Sequence, residues 1–473
     1  MKYLIPGIIF LLTIIIILVL AQKKDKNFKA LTKILSIVYF ILVFINIVLP
    51  DSFIMSKDRE VEIIANRNYL QVFLRWFNYM SVIILPIASF FNNKTMRNIA
   101  IYFCLPVAIL NVIFIYTYVP YFTSIEGRGI NNISSLPPYI KAFFINEIFR
   151  TIWFSLLLLI ELIIPLVLLI FEKHRFTFKD KNEIKNYLLV LLSMLLLMVP
   201  IYIPQVIFGF SNIIFKAYGI IHIGWLLFIV VEIILLIKIF KNKSYEEQYI
   251  LCLILALVTL FQYNSMFSLT ISFKRLPLQL CNLASYLIVI AIITKNKHIF
   301  NFNFIVNALG ALIAILMPDL DNKGIFNVWN MHFITEHTHI LIVPILALTF
   351  KIFPRIDKDS LKDAFIGFSI YFVFCLVFGT FMNGLVKMTG ETKFEVNYLF
   401  MFDMKKATEV LIFIKGIATI EIAFGKYFIC YPVVQILVYV VYFSLCIGVW
   451  LLIRLIYKLY DERNKKESIE LNN

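Results

Sequence analysis

The sequence predicts an all-α protein, a polytopic bundle of transmembrane helices. Of its 473 residues, 61% are hydrophobic and 15% are charged, whereas soluble proteins average about 45–50% apolar and about 25% charged residues. The mean hydropathy is +0.88. The apolar residues form long runs separated by short loops rich in Lys and Arg. Since about 20 apolar residues cross a bilayer as a helix, each long run is a candidate span.

Thirteen runs have this length and character. They are residues 3–21, 31–49, 69–91, 99–119, 149–171, 186–209, 218–240, 249–270, 276–294, 301–317, 333–353, 365–386 and 430–456. The first run could instead be a cleaved signal peptide, because it ends at Ala21, but the dense lysines behind it favour a membrane anchor.

Basic residues follow the odd-numbered spans, for example Lys94 after the third, Lys241 after the seventh and Arg463 after the thirteenth. Lys and Arg mark the cytoplasmic side of a membrane. We therefore expect a multi-pass protein of the cell membrane with its N-terminus outside and its C-terminus in the cytoplasm. The formal charge of +15 belongs to these loops, so it does not indicate nucleic acid.

The two halves of the chain share a faint pattern that indicates a degenerate internal duplication. Residues 161–165 read Glu-Leu-Ile-Ile-Pro, and residues 340–344 read Ile-Leu-Ile-Val-Pro. Phe77-Asn78 and Cys281-Asn282 each lie near the start of a span that ends in a lysine-containing loop. This pattern predicts an N-terminal scaffold half, residues 1–240, and a C-terminal half, residues 241–473, that carries the reactive side chains.

Reactive residues gather at the start of two spans in the second half. Cys281 lies near the start of the ninth span, and His332-Phe-Ile-Thr-Glu-His-Thr-His339 begins the eleventh. Ionisable groups in a membrane are costly to bury and indicate function. If the two helices are neighbours, Cys281 and His337 meet in the outer leaflet as a thiol nucleophile and its base. Neighbouring side chains could orient the imidazole or stabilise an oxyanion, namely Gln279, Asn282 and Glu336.

Two other interpretations of these residues remain open. On a helix, His332, Glu336 and His339 share one face, and His and Glu can ligate a metal, with Asp319 and Asp321 as further ligands. Alternatively, the cluster is simply hydrated at a helix end, and Cys281 is an ordinary small buried side chain. The cysteine mechanism itself requires no cofactor.

Several short motifs resemble those of the bacterial YwaF-type integral membrane proteins, a family related to eukaryotic transmembrane protein 164. The motifs are residues 276–281 (Leu-Pro-Leu-Gln-Leu-Cys), 307–310, 317–320, Glu336-His337 and 397–400 beginning at Asn397, and the resemblance covers about residues 250–456. It implies an acyltransferase acting on ether phospholipids, with Cys281 and His337 as the catalytic residues. Gln279 stands where these proteins usually carry a histidine.

The sequence thus leaves open whether the protein is an enzyme, and one hypothesis is a membrane acyltransferase whose partners are lipids. It contains no Walker loop, no dinucleotide-binding fingerprint and no nucleic-acid module. Two alternatives remain, a multi-span transporter or lipid flippase, and a membrane scaffold without catalysis.

Overall fold

A computed structural model describes most of the chain. The described residues are 4–23, 28–48, 69–113, 147–171, 180–201, 203–209, 213–267, 276–318, 320, 324–402, 417, 420–425 and 428–470. They form two compact units. The first comprises Met1–Phe215, Phe261–Thr270 and Asp321–Phe333, and the second comprises Lys216–Leu260, Ile271–Leu320 and Ile334–Asn473.

The first unit consists of helices packed through aliphatic side chains. Phe10, Leu74, Leu105 and Leu158 belong to one buried cluster that joins the first, third, fourth and fifth helices. The helices are α1 (Leu4–Lys23), α2 (Phe28–Val48), α3 (Tyr69–Phe90), α4 (Lys94–Ile113), α5 (Glu147–Phe171), α6 (Lys181–Leu197) and α7 (Ile203–Phe208).

The second unit is built mainly from longer helices. Two of them also contribute to the first unit, at the end of α9 and at the beginning of α12. The helices are α8 (Ile220–Phe240), α9 (Tyr245–Phe267), α10 (Leu280–Thr294), α11 (Lys297–Leu316), α12 (Val328–Thr349), α13 (Lys358–Thr389) and α14 (Pro432–Glu470).

The described helices confirm the all-α membrane bundle. Within the described residues, seven helices are long and apolar enough to cross a membrane, and four shorter apolar helices accompany them. Many large apolar side chains of α8 and α14 are exposed, as expected for helix faces that contact lipid tails. The predicted count of thirteen spans is not confirmed.

Two predicted span boundaries were wrong. The run 186–209 is not one helix, because α6 ends at Leu197 and α7 begins at Ile203. Pro200 lies between them, and proline cannot donate the backbone hydrogen bond that a helix interior needs. The ninth span begins as a helix at Leu280 instead of residue 276, after an extended Gln279. Cys281 therefore lies in the first helical turn.

The helix after α3 and the helix after α10 have the same irregular construction. Asn93 and Asn296 cap their N-termini with side-chain oxygens. A six-residue α-helix then leads into a five-residue π-helix, Ala100–Cys104 in α4 and Asn303–Asn307 in α11, and a nine-residue α-helix follows. Since π-helices are rare, this agreement supports the predicted duplication.

The following helices continue the correspondence. α5 and α12 each contain a proline, Pro165 and Pro344. The next helix in each half begins after an aspartate cap, Asp180 before α6 and Asp357 before α13. The predicted boundary between the halves at residue 240 stays a prediction.

The segment between α13 and α14 is not helical throughout. Its described part contains two 3₁₀ turns, Thr392–Phe394 and Tyr398–Phe400, and an antiparallel hairpin of β1 (Ile422–Phe424) and β2 (Phe428–Cys430). Most of the stretch 407–425 is outside the described residues. α14 follows with 39 residues, and its Asp461 forms an ion pair with Arg355.

Candidate functional site

The site is centred on Cys281, the second residue of α10. The thiol donates a hydrogen bond to Oδ1 of Asn282 at 3.5 Å. Backbone N–H groups of Cys281 and Asn282 also face the sulfur. The unsatisfied N–H groups and the dipole of a first helical turn favour an anion, and this is a recognised setting for reactive cysteines.

Cys281 differs from most other cysteines of the chain in the exposure of the residue. Cys281 and Cys430 are half-buried, whereas the remaining four are buried. This exposure is that of the whole residue, and the Cys281 thiol itself packs against the buried cluster of Ala284, Ala311 and Ile340. Cys430 lies on the β-hairpin, two residues before the start of α14, whereas Cys281 lies within the first turn of its helix.

Small and aliphatic side chains form the wall beside the thiol. Cys281 packs against a buried cluster of Ala284, Ala311 and Ile340. These residues lie on α10, α11 and α12. The short alanine side chains allow close helix packing in a membrane. This packing makes α12, the helix of the histidine cluster, a neighbour of the cysteine helix.

Polar groups complete the surroundings of the thiol. Glu336 on α12 is 2% exposed and interacts electrostatically with Cys281. Tyr371 and Tyr442 interact with Cys281 in the same way. The Tyr442 hydroxyl donates to the carbonyl of Val306 at 2.9 Å. Neither tyrosine was predicted, because a tyrosine in an apolar span gives no signal that separates packing from function.

Gln279 ties the start of α10 to the segment after α13. Its Nε2 donates to the carbonyl of Asn397 at 2.9 Å, and its Oε1 accepts from the backbone N–H of Leu399 at 3.2 Å. Asn397 Oδ1 in turn accepts from the backbone N–H of Phe402 at 3.0 Å. The structure thus brings together two predicted accessory residues that are 118 positions apart.

The members of the histidine cluster have different surroundings. His337 is buried in the second unit. His339 Nε2 lies 4.0 Å from Oε1 of Glu232 on α8, a partner that the sequence did not indicate. His332 belongs to the first unit, where its ring lies 6.2 Å from that of Tyr263. The pairing of Cys281 with His337 stays a prediction.

The metal hypothesis also stays a prediction. No group of three or more His, Cys, Asp or Glu side chains is arranged to hold a metal within the described part of the chain. Asp319 and Asp321, the two further ligands considered, lie outside the described residues.

α8 is fixed beside the helices of the site by two buried hydrogen bonds. Trp225 Nε1 donates to Oγ1 of Thr338 at 2.8 Å, and His222 Nε2 lies 2.7 Å from the carbonyl of Ile315. These contacts fix the position of α8 along α11 and α12, and they therefore fix the position of Glu232 on α8.

Comparison with known proteins gives a family match that covers the site. No curated protein and no solved structure is detectably similar to the chain. Residues 215–447 match the model of the TMEM164 family, and the match begins where the second unit begins at Lys216. It contains Cys281, the histidine cluster and Asn397. Residues 215–447 of this membrane protein are therefore related to the TMEM164 family.

Proposed function

We propose that the protein transfers acyl groups between membrane lipids through Cys281. The observation that carries this proposal is the place of Cys281, a half-buried residue in the first turn of an apolar helix whose thiol interacts electrostatically with the buried carboxyl of Glu336. The resemblance to YwaF-type proteins and to eukaryotic transmembrane protein 164 supplies the reaction class. Membrane lipids supply both substrates.

The reaction has two steps that share one thioester. In the first, a base takes the thiol proton, the sulfur attacks the ester carbonyl of a donor lipid, and the C–O bond breaks. The leaving oxygen takes the proton back from the base. In the second, the hydroxyl of an acceptor lipid attacks the thioester, gives its proton to the base and releases the thiolate, which is then reprotonated.

His337 is the proposed base, and Glu336 is the alternative. An imidazole exchanges protons near neutral pH, and the resemblance assigns this role to the histidine. Glu336 supports the alternative through its interaction with the thiol. Asn282 is the proposed positioning residue, because it accepts the thiol hydrogen bond.

The test is capture of the thioester. The full chain in nanodiscs is incubated with a phospholipid that carries an alkyne-labelled acyl chain, and the labelled protein is treated with hydroxylamine, which cleaves thioesters. We expect hydroxylamine-sensitive label on Cys281 that Cys281→Ala removes. Cys430→Ala is the matched control, since Cys430 is the other half-buried cysteine residue, and it should label normally. Equal labelling of Cys281→Ala and wild type contradicts the proposal.

Two further variants identify the base. His337→Ala should suppress labelling and Glu336→Gln should retain it if histidine is the base. If Glu336→Gln suppresses labelling and His337→Ala retains it, Glu336 is the base.

The matched π-helices of α4 and α11 favour a second candidate function, lipid or solute transport. Transporters commonly contain repeats with interrupted helices at corresponding positions. A liposome assay separates the two functions, because a flippase moves a fluorescent lipid across a sealed bilayer without forming a thioester.

We also infer a bacterial cell membrane, with the N-terminus outside and the tail after α14 in the cytoplasm. The alternation of basic loops supports this orientation. A cysteine placed at Glu462, which is 54% exposed, should resist a membrane-impermeant maleimide in intact cells and react after lysis.

A further inference from the structure

Residues 1–214 precede the family match, and this part of the first unit encloses a carboxyl group. Glu161 lies within α5, is 2% exposed, and its Oε1 accepts no hydrogen bond from the described residues. Ser81 on α3 interacts with this side chain, and its hydroxyl donates to the carbonyl of Phe77 at 3.2 Å. Ionisable residues inside a membrane bundle are rare, and they mark proton relays or ion sites.

Cys104 on α4 is a second polar group beside Glu161 in this site. Cys104 is fully buried and interacts electrostatically with Ser81 and Glu161. It is the last residue of the π-helix Ala100–Cys104, a type of irregularity frequent at functional sites. Glu161, Ser81 and Cys104 therefore form one cluster from three helices.

A cavity lies near this cluster in the same unit. Its volume is about 70 Å³, and its lining is polar, with an ion pair between Lys94 and Glu183 and the buried amide of Asn98. A polar space of this size holds water. The two charged side chains are 46% and 31% exposed, so this end of the cavity borders solvent.

Tyr187 connects the cavity to the cluster. Its side chain lines the cavity, and it interacts electrostatically with Cys104. Its ring also meets the edge of the Tyr102 ring, with centroids 6.4 Å apart. A series of groups that can each donate and accept a proton thus leads from the cavity inward, namely Tyr187, Cys104, Ser81 and Glu161.

We propose that Glu161 is a reversible proton-binding site that exchanges with solvent through this cavity and Tyr187. A hydronium ion in the cavity gives one proton to the series, each relay group passes one on as it receives one, and the Glu161 carboxylate becomes a carboxylic acid. The ligand is a proton because the cluster offers a single carboxylate, whereas divalent cations require several oxygen ligands. The site lies in the first unit, so the inference does not depend on the acyltransferase proposal.

Infrared difference spectroscopy on the full chain in nanodiscs tests the site. A protonated carboxyl has a C=O stretch separate from the amide and carboxylate bands, and this stretch shifts in D₂O when the proton exchanges. We expect Glu161→Gln to remove one such band at neutral pH. Glu462→Gln, which changes an exposed carboxyl, should leave all bands in place. A spectrum unchanged by Glu161→Gln overturns the proposal.

The rate of the D₂O shift tests the route. Tyr187→Phe keeps the ring and removes the hydroxyl, and we expect it to slow the shift by at least tenfold, equivalent to about 1.4 kcal/mol of barrier. Tyr245→Phe is the matched control, because that ring is exposed in the second unit. An unchanged rate in Tyr187→Phe refutes the route.

A measurement on the wild-type protein covers the case in which Glu161→Gln does not fold. Dicyclohexylcarbodiimide modifies protonated carboxyls in apolar surroundings. Peptide mapping by mass spectrometry should find the adduct on Glu161, with less adduct as the pH rises. A wild-type protein without this adduct overturns the proposal.

Discussion

Removing the side-chain amide of Gln279 should destabilise the segment that precedes Cys281. Gln279→Ala deletes the hydrogen bonds to Asn397 and Leu399, at 2.9 and 3.2 Å. At about 0.5–1.5 kcal/mol for each bond, the loss is about 2 kcal/mol. For the second unit, a loss of about 2 kcal/mol in the free energy of unfolding corresponds to a drop of about 4–8 °C in the melting temperature, Tm.

Two further substitutions separate the hydrogen bonds from packing. Gln279→Met keeps the side-chain length and removes both bonds, so it should lose nearly as much stability as Gln279→Ala. Gln279→Glu still accepts from Leu399 but sets a carboxylate oxygen against the carbonyl of Asn397, so it should lose more. Like-charged oxygens in contact repel each other.

Thermal unfolding of the purified protein in detergent, followed by tryptophan fluorescence, gives the three Tm values. A Gln279→Ala protein as stable as wild type would refute the reasoning. So would a Gln279→Glu protein that is more stable than Gln279→Ala.

Three other predictions concern single contacts of the second unit. Asp357 caps α13 and accepts hydrogen bonds from the backbone N–H and hydroxyl of Ser360, which hold the pKa of its carboxyl below the usual value. The Asp357 carboxylate therefore stabilises the folded protein fully at pH values above its pKa in the unfolded chain. This stabilisation is lost as the pH falls through its lower pKa in the folded protein. Asp357→Ala should cost about 1 kcal/mol at neutral pH, and Asp357→Asn should retain the cap without the pH dependence, as denaturant unfolding at several pH values will show. Gly379→Ala should destabilise the protein by about 1–3 kcal/mol through overpacking, since the new Cβ would lie 2.2 Å from Phe402. Gly448→Ala is the control, because its new Cβ would have no neighbour within 4 Å. It should be neutral or stabilising in the same thermal assay. Trp225→Phe removes the buried hydrogen bond to Thr338 and should cost about 1–2 kcal/mol, and a Tm equal to wild type would contradict that contact.

The helices of the fold were predictable because length and hydropathy alone decide whether a segment suits a bilayer. α3 begins at Tyr69, and α5 ends at Phe171, as predicted. The division of the run 186–209 was missed because its apolar content hides the effect of Pro200. The π-helices were missed because their sequences carry neither glycine nor proline.

The candidate site was predictable only in part, because its contacts join distant segments. The type and position of Cys281 suggested a nucleophile, and the apolar runs placed it near a membrane surface. The bond between Gln279 and Asn397, and the approach of Glu232 to His339, depend on which helices are neighbours. No local pattern in one sequence determines that neighbourhood.

The length of α14 has a practical consequence. At about 1.5 Å of rise for each residue, its 39 residues extend about 58 Å, almost twice the roughly 30 Å of hydrocarbon in a bilayer. The surplus, braced by Arg355 at Asp461, projects past the lipid headgroups as a stiff rod. A fluorophore or affinity handle fused there would stand clear of the detergent belt, which makes this end a suitable attachment point for imaging.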